Sequence, residues 1–173
     1  MKNQLIVAII STFFALTACN TAENNDVAED ETMTNEETTN EATTAECPVA
    51  DKSGLIQVAP GLSARVVKKG FGRSAVAGDY ADTNVWLWLY DESAEDKHGA
   101  FIWESGSTVF QFQLGAGQVI KGWDLGVPCM LEGETRELIV AGDLAYGPSG
   151  RGEIPPNATL IFTIELLKLT PPD

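Results

Sequence analysis

The chain has 173 residues, with 25 acidic against 11 basic side chains, a formal net charge of −14 at pH 7, and 44% hydrophobic residues. An acidic balance of this size argues against a nucleic-acid binder, which needs a basic face to meet phosphates. The length suits one folded domain of ordinary size together with a segment that does not fold.

Taken in order, the chain opens with Lys2 ahead of an almost wholly apolar run at residues 5–16, followed by small residues. This is the layout of a secretory signal, too short for a comfortable transmembrane span. Its end, Leu16-Thr17-Ala18-Cys19, resembles the bacterial lipobox. That resemblance implies a signal peptide over 1–18, cleaved before Cys19, and a lipid on Cys19. An ordinary signal peptide with an incidental cysteine is the plainer alternative. Asn20 follows the cysteine in place of the aspartate linked to inner-membrane retention, which implies an outer-membrane anchor facing the periplasm of a bacterial envelope.

Residues 19–46 change character. The stretch after Cys19 is built from Thr, Asn, Glu, Asp and Ala, with nine acidic residues and no Lys, Arg or aromatic. It cannot bury enough apolar area to offset its chain entropy, and its like charges keep it extended. It reads as a disordered tether; the sharper alternative is an acidic arm for a basic partner or divalent cations. From Cys47 on, 16 acidic residues stand against 10 basic ones, so the expected domain over 47–173 is only mildly acidic. With Cys19 taken by lipid, Cys47 and Cys129 remain in an oxidising compartment. They read either as a disulfide or as two separate thiols, since spacing alone cannot supply the distance.

Within the domain, 54–58 and 62–69 read as short strands broken by the turn Pro60-Gly61. Residues 85–90 (V-W-L-W-L-Y) are β-branched and aromatic, hence a strand. The charged loop 91–99 holds His98 among Asp91, Glu92, Glu95 and Asp96. It reads as solvated surface, and no spacing in it resembles a metal motif. Residues 101–103 and 109–114 are further strands, the second alternating Phe110, Phe112 and Leu114 with glutamines. The organising stretch is 115–127 (G-A-G-Q-V-I-K-G-W-D-L-G-V), where Val119, Ile120, Trp123 and Val127 fall at helical spacing over about three turns. A short helix so rich in glycine is marginal alone, so packing of its Trp123 stripe on a sheet must hold it. Strands at 136–140 and 159–169 flank a glycine-rich loop at 142–153. The fold class is therefore α+β, with a mostly antiparallel sheet and one short helix.

Several separated motifs carry a resemblance: Leu114-Gly115 to Gly126, Leu144-Ala145-Tyr146-Gly147, Ile154-Pro155-Pro156-Asn157-Ala158-Thr159-Leu160-Ile161-Phe162, and Glu165-Leu166-Leu167. In order and spacing these resemble the macrolide-binding (FKBP-type) peptidyl-prolyl isomerases over about 54–169. The resemblance implies a curved, mostly antiparallel sheet wrapped around the short helix, and an apolar pocket for a proline ring, floored by Trp123 and walled by Phe110, Val119, Ile120, Phe162 and Trp103, with Ile154 as a cap. Tyr146 through its hydroxyl and Ile120 through its N–H would meet a substrate carbonyl. It implies proline-containing polypeptides as substrates, macrolides as further ligands, and no metal or cofactor. A monomer is the default expectation.

Two departures stand out. Counted from Gly78, Val85 falls where the family has a pocket tyrosine, and Glu104 replaces an aspartate. The arginine usual before Phe110 has no counterpart, so Glu104 would face the pocket without its partners. Three readings stay open: an isomerase assisting the folding of exported proteins, a proline-binding or chaperone module with weak or no turnover, and a vestigial site whose aromatics are only core.

Overall fold

The structure, a computed structural model, describes residues 47–172. The signal segment, Cys19 and the acidic tether lie outside them. Seven strands, β1 (Leu55–Ala59), β2 (Leu62–Lys68), β3 (Tyr80–Tyr90), β4 (His98–Glu104), β5 (Phe110–Gln113), β6 (Thr135–Val140) and β7 (Leu160–Thr170), are joined by one α-helix, α1 (Lys121–Gly126), between β5 and β6. All pairings are antiparallel, in the order β1-β2-β6-β7-β3-β4 with β5 also on β3.

β3 is the hub. β7 pairs with nearly its whole length, β5 with its first part (Tyr80 to Thr83) and β4 with its second (Trp86 to Tyr90). β3 starts five residues before the strand the sequence announces. Asp82 and Asn84 are poor strand formers and hide the signal, yet neighbours on both sides pair this part, and Ala81 and Thr83 are fully buried. Ser105 stands at the join between β4 and β5. Its N–H donates to the Val85 carbonyl at 2.9 Å, and its Oγ accepts from the Val85 N–H at 3.1 Å.

The helix is shorter than its apolar spacing suggests. Gly115 and Gly117 take positive φ (75° and 67°), and Ile120 is an extended N-cap with ψ 150°. Ile120 thus arrives on extended backbone after a bend at Val119, and only six residues are helical. Asp124 fixes that approach: its two carboxylate oxygens accept from the Gly115 and Gly117 N–H groups, both at 3.0 Å.

The helix glycines make contact with the sheet instead of loosening the helix. A Cβ on Gly122 would lie 2.4 Å from Val140 Cγ1, and one on Gly126 2.9 Å from Leu138. The backbone of α1 therefore lies flush on β6, with Trp123, Val127 and Met130 buried against Leu138, Val140, Ile164 and Leu166. Its far end is held by Arg136 of β6. That guanidinium donates to the carbonyls of Gly126 (3.0 Å), Pro128 (3.3 Å) and Cys129 (3.3 Å), and to Glu134 Oε1 (2.7 Å). A buried cation here also meets the negative end of the helix. Cys47 and Cys129 are joined by a disulfide, with Cα atoms 5.7 Å apart, which fastens the start of the domain just beyond α1.

His98 departs from the solvated-surface reading. It begins β4 on the outer face of the sheet, its side chain 18% exposed, with Nε2 3.2 Å from Glu137 Oε1 and its ring edge-on to Trp88 at 4.6 Å. The aromatic and the carboxylate that bury it lie on β3 and β6, outside the loop whose composition suggested exposure.

Candidate active site

A cavity of about 720 Å³ opens between the inner face of the sheet and the entry to α1. Trp123 forms its floor. Only 5% of that residue is exposed, and its ring meets Phe162 (5.2 Å, 88°), Phe112 (5.4 Å, 51°) and Phe110 (5.7 Å, 83°). Edge-to-face packing of this kind adds specific attraction to the area buried. The glycines at 122 and 126 make it possible, because the helix must sit close to β6 for the indole to reach β5 and β7.

The walls gather most of the residues expected from the sequence: Trp103, Phe110, Val119, Ile120, Tyr146, Ile154 and Phe162. Trp103 and Phe110 stack edge-on at 6.3 Å and remain 43% and 37% exposed, so this wall opens to solvent. The Ile120 N–H has no acceptor among the described residues, while its carbonyl accepts from Trp123 and Asp124 in the first helical turn. Tyr146 sits between two single-turn 3₁₀ helices (Gly142–Leu144 and Gly147–Ser149). The Asn157 N–H donates to the Gly147 carbonyl at 2.8 Å, tying the tyrosine loop to the chain entering β7.

Two expected residues are not in the lining. Val85 is wholly buried and pairs with Ile164, whereas Leu87 lines the cavity and pairs with Phe162 on one side and Trp103 on the other. Both point to the same face, two residues and so about 6–7 Å apart along the strand. The count from Gly78 finds the right face and stops one pleat short. Glu104 is exposed and pairs with Trp86, while Trp103 beside it pairs with Leu87. Alternation along β4 turns one inward and the other outward. No carboxylate of Glu104 faces the cavity.

The remaining lining comes from Leu87, Ile102, Gln118, Arg151, Gly152 and Glu153. Ile102 enters through a register shift, since Leu87 pairs with Trp103 and Trp88 with Phe101, leaving Ile102 as the extra residue. A bulge that re-aims a side chain beside a site has no single-sequence signature. Arg151 and Glu153 flank Gly152, and the two-residue turn that presents them was legible as glycine-rich loop but not as part of the site.

Comparison with known proteins agrees with this geometry. The family model described as FKBP-type peptidyl-prolyl cis-trans isomerase matches residues 72–167. FK506-binding protein 1B of Aspergillus fumigatus is 41% identical over 113 residues, covering 63% of this chain and 94% of that protein. FK506-binding protein 1 of Saccharomyces cerevisiae is 56% identical over 61 residues, 35% of this chain and 54% of that protein. Among solved structures, a peptidyl-prolyl cis-trans isomerase of Pseudomonas syringae aligns with a TM-score of 0.58 at 28% identity, over 69% of this chain and 83% of that one. FkpA of Escherichia coli aligns with the same TM-score at 31% identity, over 70% of this chain and 54% of that one. The sheet, the helix laid on it and the aromatic cavity between them are thus those of a known family: this chain belongs to the FKBP-type peptidyl-prolyl cis-trans isomerases.

Proposed function

We propose that the protein is a lipid-anchored prolyl isomerase that assists the folding of exported polypeptides. The observation that carries the catalytic part is the aromatic cavity floored by Trp123, with Tyr146 and the Ile120 N–H at its mouth. Rotation about an X–Pro bond meets a barrier of about 18–20 kcal/mol, because the planar amide is resonance-stabilised. Unassisted, it takes tens to hundreds of seconds. Resonance places charge on the carbonyl oxygen, and water stabilises that planar, charge-separated form. Seating the proline ring on Trp123 among Phe110, Val119 and Phe162 removes the water, which favours the twisted amide. The Tyr146 hydroxyl and the Ile120 N–H donate to substrate carbonyls and hold the peptide in place. Catalysis is then tighter binding of the twisted state than of either planar one, with no covalent step.

Leu87 in the wall and Glu104 outside it leave that side of the cavity apolar. This favours a second reading, a proline-binding module with slow turnover, and the same experiment separates the two. Isomerisation of an X-Pro peptide is followed with the purified protein in detergent, beside Tyr146→Phe and Phe110→Ala. Losing one hydrogen bond of about 0.5–1.5 kcal/mol predicts a rate about two- to ten-fold lower for Tyr146→Phe. Macrolide or peptide binding without acceleration would establish the binding module instead.

The envelope location rests on residues 1–46 of the sequence. Cys19 carries the lipid, the acidic stretch 20–46 spaces the domain from the membrane, and proline-containing polypeptides in the periplasm are the substrates. Labelled palmitate should enter the wild-type chain in a bacterial host and not Cys19→Ser; equal labelling of both would remove the anchor.

A further inference from the structure

Of the fourteen residues lining the cavity, Arg151 and Glu153 alone carry formal charge. They belong to one tight turn, Arg151-Gly152-Glu153-Ile154. It is closed by hydrogen bonds from the Ile154 N–H to the Arg151 carbonyl (2.9 Å) and from the Arg151 N–H to the Ile154 carbonyl (3.0 Å). Gly152 supplies the positive φ (57°) at its first central position, the requirement of such hairpin turns. Gly150 locks the near side, since a Cβ there would lie 2.4 Å from the Ile154 carbonyl oxygen. Arg151 is therefore set directly opposite Ile154, and cross-strand partners share a face. Ile154 is buried in the cavity wall, so the arginine side chain is directed to the cavity mouth.

There the guanidinium lies 5.5 Å from the centroid of the Tyr146 ring. Among the described residues no carboxylate pairs with it, although the domain around it carries more acid than base. Stacking on an aromatic face leaves the planar fork of N–H donors open to a carboxylate, the geometry for which arginine is best suited. Tyr146 is also the residue placed at the substrate carbonyl. A cation resting on its ring is within side-chain reach of the residue just before the proline.

We infer that Arg151 is a specificity residue that selects X-Pro bonds in which X is acidic. This rests on the isomerase reading above. Glu153 opposes the selection from the second central position of the same turn, so its removal should sharpen it. The contact is exposed, so an effect of about two- to five-fold is in keeping with surface ion pairs, and salt should reduce it.

The test uses the full-length protein in detergent and three tetrapeptides that differ only in X, namely Glu, Gln and Lys. Ratios of kcat/KM are read within each variant, so a general loss of activity cancels. Wild type should order them Glu, Gln, Lys, about two- to five-fold between the extremes at low salt and closer together at high salt. Arg151→Gln should level the three, Arg151→Glu should reverse them, Arg151→Lys should keep the order, and Glu153→Gln should widen the spread. Equal rates for the three peptides in wild type, or Lys ahead of Glu, would overturn the inference while leaving the isomerase intact. No acceleration of any peptide would overturn the isomerase reading itself.

Discussion

Replacing Arg136 by methionine should remove much of the domain's stability and disturb its site at a distance. The side chains of Arg136 and Glu134 are 6% and 5% exposed, and their bond is 2.7 Å. Methionine keeps most of the volume, so packing is little changed. What changes is that Glu134 keeps only the Leu131 N–H on Oε2, while the carbonyls of Gly126, Pro128 and Cys129 lose their donor. Breaking a buried pair by removing one partner costs about 3–5 kcal/mol, because the other charge is left uncompensated. A typical domain has about 5–15 kcal/mol in all. With a urea m-value of about 2 kcal/mol/M, the midpoint should fall by roughly 1.5–2.5 M at unchanged m. Glu134→Leu combined with Arg136→Met should be more stable than Arg136→Met alone, since the orphaned charge is gone. Recovery should stop short of wild type, because the helix carbonyls remain without donors. A single variant within 1 kcal/mol of wild type, or a double variant no better than the single, would refute the account of Arg136 as the anchor of α1.

Gly122→Ala should destabilise the domain by about 1–3 kcal/mol through overpacking on Val140, against the roughly 1 kcal/mol that helix propensity alone would gain; the sign of the change in a denaturation midpoint decides between them. Cys47→Ser with Cys129→Ser should cost about 2–4 kcal/mol, since the bridge closes a long loop in the unfolded chain over a sequence separation of 82, and reduction of wild type should reproduce the loss. The Asp51 carboxyl is held below its usual range by the Ser53 hydroxyl and then by the Leu55 and Ser53 N–H groups, and that of Asp91 by the Ser93 hydroxyl and N–H. These are depressed acids, so what they add to stability is present above the unfolded value near 3.9 and lost as pH falls through the lower folded value. NMR titration should find both midpoints below that value, and Ser53→Ala and Ser93→Ala should each move the neighbouring midpoint up.

What the sequence shows of this fold and what it hides divide along one physical line. A periodic pattern reports which face a side chain takes, and β5 was legible for that reason, as was the packing of Trp123 toward the sheet. Position along the face is set by register, and register is set by partners distant in sequence. Val85 and Leu87 share a face and a chemistry; only the pairing of Leu87 with Phe162 and Trp103 tells which of them meets the cavity. Glu104 fails for the complementary reason, since the shift that leaves Ile102 unpaired fixes which neighbours turn inward. Asp124 and Arg136 were visible as residues but not as devices. One acts on glycine N–H groups seven and nine positions back, the other on carbonyls across a helix end. The Trp123 stripe was therefore readable from spacing, and its place as a cavity floor from the family resemblance, whereas the parts that place it, and the Arg151 turn beside it, depend on backbone geometry that spacing does not encode. A variant series confined to the aromatic wall would measure the apolar seat alone. The charge at the cavity mouth lies in the turn 151–154, and the peptide series at Arg151 is where its effect can be measured.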